Sequence, residues 1–96
     1  MSKRKFKIVL HQSVPGEIKK LPSKAKQQVL TIIDNLAEEP IPRSALKLKG
    51  TANSYRIRFG KYRILYEIHA IEIVIYVVSV AHRKEVYRRI LRSKLK

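Results

Sequence analysis

Residues 54–66 limit the fold most strongly, because apolar and polar residues alternate on both sides of Gly60. A period of two places successive side chains on opposite faces of a β-strand. The Gly-Lys pair at 60–61 suits a two-residue turn, since glycine readily adopts the positive φ that a type II′ turn requires at its first central position. The pattern therefore predicts a β-hairpin in which Phe59 faces Tyr62.

The predicted hairpin has one apolar face and one basic face. The apolar face carries Tyr55, Ile57, Phe59, Tyr62, Ile64 and Tyr66. The basic face carries Arg56, Arg58 and Arg63, with Arg58 opposite Arg63, and such like-charge pairs cost a sheet about 0.2–1 kcal/mol each. Because the planar guanidinium group of arginine can donate hydrogen bonds to two phosphate oxygens at once, this face is a candidate phosphate site. A solvated basic surface is the alternative.

Composition restricts the class of protein and its partners. The chain has 96 residues with 45% hydrophobic content, which predicts a single folded domain over residues 1–96. The net charge of +15 favours an acidic partner: nucleic acid, an anionic membrane surface or an acidic protein. The absence of cysteine excludes disulfides and thiolate metal sites. The apolar runs are too short for a signal peptide or a membrane span, so we expect a cytoplasmic protein without membrane attachment.

The remaining periodicity predicts the element order β-α-α-β-β-β-α. The predicted elements are a strand over 5–10, a helix over 15–21, a helix from Pro22 to before Pro40, the hairpin, a strand over 71–80 and a helix over 81–96. The second helix has the clearest pattern, with an apolar stripe on one side. That stripe consists of Val29, Ile32, Ile33 and Leu36. The strand over 71–80 is rich in β-branched residues, so we expect it to be central in the sheet.

Three residues at the start of the last predicted helix extend the candidate site. Arg83 and Tyr87 are four residues apart and would share one helix face, beside the arginines of the hairpin. Histidine is the side chain that ordinarily changes its charge near neutral pH, so His82 is a candidate acid or base. These groups suit RNA cleavage by attack of a 2′-hydroxyl on the adjacent phosphate. A helix cap for His82, a core position for Tyr87 and a nucleic-acid-binding domain without catalysis are the alternatives.

Lysines near the hairpin are candidate contacts to an RNA backbone. Lys47 and Lys49 lie in a basic connection over 43–53, and Lys61 lies in the hairpin turn. Solvation of the loops is the alternative for these lysines. The three histidines have no metal-ligand spacing and no glycine-rich phosphate loop is present, so we expect neither a metal nor a cofactor.

The chain resembles the RelE/ParE superfamily of bacterial toxin–antitoxin toxins over nearly its whole length. The resemblance rests on Lys-Lys-Leu-Pro, Leu-Lys-Gly, Tyr-Arg-Ile-Arg-Phe-Gly-Lys-Tyr-Arg-Ile-Leu-Tyr and Val-Ala-His-Arg-Lys-Glu-Val-Tyr. It implies an α+β fold: a small twisted, mainly antiparallel four-stranded sheet, two N-terminal helices packed on it and a short C-terminal helix.

The RelE branch of that superfamily cleaves messenger RNA in the ribosomal A site, and the chain is similar to this branch. The resemblance implies that Arg63 and Arg83 hold the scissile phosphate and that Tyr87 orients the 2′-hydroxyl or stacks on a base. Arg56 and Arg58 would add positive field and assist proton transfer. The best-known RelE pattern has lysines at these two positions, and arginine exchanges protons poorly because its pKa is out of reach.

The resemblance also implies partners and two alternative functions. The expected partners are an acidic RelB-like antitoxin, forming a hetero-oligomer with this chain, and the ribosome with its messenger RNA. One alternative is a ParE-like inhibitor of DNA gyrase. The other is a nuclease-inactive toxin homologue that acts with its antitoxin in autorepression.

Overall fold

The computed structural model describes residues 5–82 as a five-stranded sheet with two helices on one of its faces. The elements are β1 (Lys7–Leu10), α1 (Val14–Lys19), α2 (Ser23–Leu36), β2 (Ala45–Lys47), β3 (Ser54–Phe59), β4 (Tyr62–His69) and β5 (Val74–His82). The strand order is β1-β5-β4-β3-β2, with β1 parallel to β5 and the other neighbours antiparallel. The predicted α+β class and the mainly antiparallel sheet are therefore confirmed.

The strand β2 is the element that the sequence did not predict. Residues 43–53 were expected to form a connection and the sheet to have four strands, but Ala45 pairs with Ile57, Leu46 with Arg56 and Lys47 with Tyr55. Three residues are too few to show an alternating pattern. The ladder of β3 supplies the partners that make this segment a strand.

The hairpin of β3 and β4 has the predicted turn and the predicted register. Phe59 pairs with Tyr62, Arg58 with Arg63 and Ile57 with Ile64. Gly60 has φ +56°. Among the non-glycine residues that the structure describes, Ile73 alone has a positive φ. Because Lys61 therefore has an ordinary φ, the turn has the positive-then-negative φ pattern of type II′.

The main core lies between the helices and one face of the sheet, which we call the helix-covered face. The apolar stripe of α2 is buried there as predicted, with Ile32 partly exposed. Its partners from the hairpin are Ile57, Ile64 and Tyr66, each at most 1% exposed. The Tyr66 hydroxyl donates a hydrogen bond of 2.7 Å to the Pro40 carbonyl, which fixes the segment after α2 against the sheet.

Element boundaries differ from the predictions at several ends. The helix α1 is displaced toward the N-terminus, and α2 begins at Ser23 with Pro22 as its N-cap. Residues 70–73 form a turn in which the Ile73 N–H donates to the Ala70 carbonyl, so β5 begins at Val74. None of the helices within residues 5–82 is long and apolar enough to cross a membrane.

The prediction that a helix starts at Ala81 is wrong, because Ala81 and His82 are the last two residues of β5. The pairing of β5 with β4 continues to the Tyr62–His82 pair. These hydrogen bonds hold the segment in an extended conformation despite its helical pattern. The rest of the predicted C-terminal helix, residues 83–96, lies outside the described residues.

An irregularity in the ladder between β4 and β5 determines which side chains of β5 reach each face. Tyr66 pairs with Val77 but Leu65 pairs with Ser79, so Val78 is an extra residue in β5. Such a β-bulge shifts the alternation by one position and re-aims the side chains that follow. After the bulge, Val80 lies on the helix-covered face and Ala81 on the opposite face.

Candidate nucleic-acid interface

Arg56, Arg58 and Arg63 lie on the sheet face opposite the two helices, and we call this surface the arginine face. Arg58 and Arg63 are directly paired across the hairpin, and Arg56 is two residues from Arg58 on the same strand. The arrangement follows from the alternation of β3 and β4, because their apolar residues occupy the helix-covered face. The hairpin therefore brings the three predicted arginines together on one surface.

The three arginines differ in exposure. Arg58 is exposed and Arg56 is half-buried, whereas Arg63 is only 5% exposed. The Arg63 Nη1 donates a hydrogen bond of 3.0 Å to the Tyr62 carbonyl. A guanidinium that is nearly buried interacts more strongly with an anion than one in bulk water, because the surroundings screen its charge less. Arg63 is thus the most buried cation of the arginine face.

A small apolar cluster lies on the same face beside Arg63. It consists of Leu65 and Ala81, with Leu48 and Val78 packed against them. Ala81 is directly paired with Arg63 in the ladder. No pattern in the sequence signals this neighbour, because the bulge at Val78 decides that Ala81 rather than Val80 stands opposite Arg63.

His82 lies on the helix-covered face, away from the three arginines. It pairs with Tyr62, and the two rings meet edge to face with their centroids 6.3 Å apart. With Glu17 and Lys20 it borders a cavity of about 170 Å³ beside α1. The expectation that His82 stands at a helix start beside the arginine face is therefore wrong, and so is the alternative that it caps a helix. His82 is the last residue of β5, and successive side chains of a strand point to opposite faces. Because Ala81 lies on the arginine face, His82 lies on the helix-covered face.

The three predicted lysines do not form one cluster. Lys47 pairs with Tyr55, which directs it to the side of the sheet that the helices occupy. Lys49 is exposed near the turn that precedes β3, and Lys61 is exposed in the turn that follows it. Lys61 alone adjoins the Arg58–Arg63 pair, since it lies in the two-residue connection next to them. Arg83 and Tyr87 lie outside the described residues.

A second polar group occupies the arginine face farther along β4. His69 Nε2 and Glu67 Oε1 are 2.9 Å apart, and Glu72 and Tyr76 border the same shallow depression. Glu67 is four residues from Arg63, or about 13 Å at the rise of a β-strand. This pair is therefore too distant to act on a phosphate held by Arg63. Within residues 5–82 no group of three or more His, Asp or Glu side chains is arranged to hold a metal ion.

Comparisons with known proteins agree with this fold. Residues 8–87 match the family described as ParE toxin of type II toxin–antitoxin system, parDE. A Methanocaldococcus jannaschii protein named as toxin RelE1 is 29% identical over 87 residues, which cover 88% of this chain and 97% of that protein.

Two solved structures show the same architecture. The archaeal RelE–RelB complex from Pyrococcus horikoshii matches with a TM-score of 0.74 and 30% identity, over 82% of this chain and 96% of that chain. A doubly substituted variant of E. coli toxin RelE in the free state matches with a TM-score of 0.76 over 93% of this chain and 97% of that chain. Its identity of 24% shows a shared fold alone.

The sequence match covers most of the chain, and the fold agrees with those of RelE toxins. The chain therefore belongs to the RelE/ParE superfamily of toxins of type II toxin–antitoxin systems.

Proposed function

We propose that this toxin is an endoribonuclease that cleaves messenger RNA in the ribosomal A site. The observation that carries the proposal is the arginine face, where Arg58 and Arg63 are directly paired and Arg56 is adjacent. Like charges directly opposite each other in a sheet are generally destabilising. A phosphate group would relieve that repulsion, and its negative charge increases as it is attacked.

In the proposed reaction, the 2′-hydroxyl oxygen of one nucleotide attacks the phosphorus that follows it. The bond from phosphorus to the 5′-oxygen of the next nucleotide breaks, and a 2′,3′-cyclic phosphate remains. Water takes up the proton of the 2′-hydroxyl and supplies a proton to the leaving 5′-oxygen. Arg63 is fixed by its burial and by its bond to the Tyr62 carbonyl, so it can stabilise the extra charge without reorganising. By the resemblance, Arg83 joins it at the scissile phosphate.

Arg56 and Arg58 serve in this mechanism as sources of positive field. Arginine stays protonated throughout the physiological range, so neither residue is suited to exchange protons. His82 is placed on the opposite face of the sheet and is therefore unsuited to the same phosphate. The proposed reaction leaves orientation of the attacking 2′-hydroxyl to Tyr87, as the resemblance implies.

The ribosome and an antitoxin are the proposed partners. Neither described helix packs on the arginine face, and Arg58 is exposed on a strand rather than enclosed in a cleft. An open surface of this kind holds a flexible RNA poorly, and a ribosome that fixes the message would supply the missing orientation. The Pyrococcus horikoshii relative was solved as a complex with RelB. We propose that an acidic RelB-like antitoxin binds this chain, whose charge is +15.

The test is primer extension on a defined message bound to ribosomes with an empty A site. Wild type, Arg63→Ala and Arg83→Ala would be compared with Lys7→Ala, which removes one positive charge from an exposed position on β1. Ribosome-free message is a second control. A message with a 2′-deoxy nucleotide at the cleaved position tests the attacking group.

We expect cuts in the A-site codon with wild type and Lys7→Ala, cuts that are slower by about 10²–10³ with the arginine variants, and none with the deoxy message. Equal cutting by wild type and Arg63→Ala would contradict the proposal. Cuts in ribosome-free message at the same rate would remove the ribosome from it.

A ParE-like activity is the second candidate, because the family that matches residues 8–87 is described by the ParE name. In that case the arginine face would contact a DNA topoisomerase and no RNA would be cut. A gyrase supercoiling assay separates the two functions. Inhibition of supercoiling together with intact message would favour this second candidate.

A further inference from the structure

Glu17 makes a contact with β5 that neither the family resemblance nor the sequence pattern accounts for. Its Oε1 accepts a hydrogen bond of 2.9 Å from the backbone N–H of Val80. Glu17 belongs to the short helix α1, whose Val14 and Ile18 are buried in the main core. The carboxylate therefore reaches β5 from an element that is itself anchored.

The position of this bond is explained by the short length of β1. The pairing of β1 with β5 ends at Leu10 and Val77, where the His11 N–H donates to the Val77 carbonyl. From there β5 continues to His82 with β4 as its paired strand on the other side. A buried backbone N–H without a partner costs free energy, so a side-chain acceptor is needed where the neighbouring strand has ended. Glu17 provides that acceptor at Val80.

The bond lies two residues beyond the bulge, where β5 is still paired with β4 but no longer with β1. Without the extra residue Val78, continuation of the Tyr66–Val77 pairing would put Val80 opposite Arg63 and Ser79 into the main core. A one-residue slip exchanges every side chain between the two faces of a strand. Val80 is 1% exposed in the main core and Ala81 contacts Leu65, so the observed register satisfies both faces.

We propose that Glu17 is a positioning residue for the arginine face. By holding the Val80 N–H, it fixes the register of β5 after the bulge and keeps Ala81 opposite Arg63. It also fixes the end of β5 from which the chain continues into Arg83. Glu17 acts from the opposite side of the sheet and touches no substrate. The role rests on the proposed nuclease function, because it concerns the geometry of the same arginines.

The test compares Glu17→Ala and Glu17→Gln with Glu72→Ala. Glutamine retains an acceptor oxygen without the charge, and Glu72 is an exposed carboxylate in the turn before β5. All three changes remove one negative charge, so their effects on long-range attraction to RNA are matched. The readouts are the saturating cleavage rate, the toxin concentration that gives half this rate, amide hydrogen exchange at Val80, and the nuclear Overhauser contact between Arg63 and Ala81.

For Glu17→Ala we expect the saturating rate to fall about tenfold and the half-saturating concentration to change less than about threefold, since the defect is one of geometry. Val80 exchange should accelerate about tenfold as its bond is lost, and the Arg63–Ala81 contact should weaken. Glu17→Gln and Glu72→Ala should resemble wild type. If the alanine variant does not fold, Glu17→Asp replaces it, because its shorter side chain keeps the charge and withdraws the acceptor.

Full cleavage by Glu17→Ala would overturn the positioning role, as would a glutamine variant as impaired as the alanine variant. Loss of cleavage with unchanged Val80 exchange would also overturn it. A wild-type chain that cuts no RNA would overturn the proposed function, and the positioning role with it. The two failures are distinguishable because only the second appears in the wild-type arm.

Discussion

The helix-covered face and the arginine face of the sheet are made by the same two central strands, but they bury different polar groups. On the helix-covered face, Tyr66 is fully buried and its hydroxyl donates to the Pro40 carbonyl. Burial raises the pKa of this hydroxyl well above its ordinary value, and the neighbouring Tyr55 raises it further. On the arginine face, Arg63 is almost as buried but always carries its charge.

The two buried groups are expected to affect the stability of the sheet in opposite ways. A neutral hydroxyl with one hydrogen bond contributes to stability at little electrostatic cost. Arg63 is nearly buried and is directly paired with Arg58 in the ladder. Such a like-charge pair is unfavourable in a sheet, and an anion bound at this face would offset it. For the side chains of β3 and β4, we therefore expect changes on the arginine face to reduce activity with little loss of stability, and changes on the helix-covered face to reduce stability.

The largest effect is expected for Arg63→Ala. Removing a fixed group that stabilises developing charge typically costs about 10²–10³ in rate, or about 3–4 kcal/mol of transition-state stabilisation. The measurement is the single-turnover cleavage rate on ribosome-bound message, with Lys7→Ala as the charge-matched control. A cleavage rate that falls by less than about fivefold, which is about 1 kcal/mol, would contradict the proposed role of the arginine face in activity.

The next largest effect is expected for Ile64→Ala on the helix-covered face, and it concerns stability rather than activity. Ile64 is 0% exposed in the main core, so the change creates a cavity and should lower the free energy of unfolding by about 3 kcal/mol. Urea denaturation of the purified chain gives the value. Arg58→Ala, one strand away on the arginine face, is the comparison and should change stability by less than about 0.5 kcal/mol.

A smaller effect is expected for Tyr66→Phe, which removes the hydroxyl and leaves the ring. Because the Pro40 carbonyl loses its donor, the free energy of unfolding should fall by about 1–2 kcal/mol. The difference between wild type and variant should also depend on pH. The folded-state pKa of Tyr66 is raised, so its contribution is complete below the ordinary value of about 10 and declines as the pH rises above it. A difference that stays constant up to about pH 11 would contradict this assignment.

The smallest effect is expected for Gly60→Ala in the hairpin turn. Gly60 has φ +56° and open space around its Cα, so an added methyl group meets no neighbour and the cost is backbone strain alone. That strain amounts to about 1 kcal/mol. Thermal unfolding measures it, and Lys61→Ala in the same turn is the control for a change without positive φ. Equal melting temperatures for the two variants would contradict the type II′ assignment.

The sequence alone predicted those features that depend on a local pattern, such as the alternation of a strand or the apolar stripe of a helix. Alternation about Gly60 determined the hairpin register down to the Arg58–Arg63 pair, because a slip of one residue would turn the arginines into the main core. The stripe of α2 likewise determined which side of that helix meets the core. The three arginines of the proposed site could therefore be grouped on one face from the alternation alone.

Tertiary structure alone decided the features that depend on a partner strand. The segment Ala45–Lys47 is a strand because β3 offers it a ladder, and Ala81 and His82 are extended because β4 continues past them. The bulge at Val78 then places Ala81 beside Arg63 and His82 on the other face. A bulge is set by packing on both faces at once, which a run of β-branched residues does not reveal. The sequence thus determined which cations form the arginine face, and the pairing of distant strands determined their neighbours.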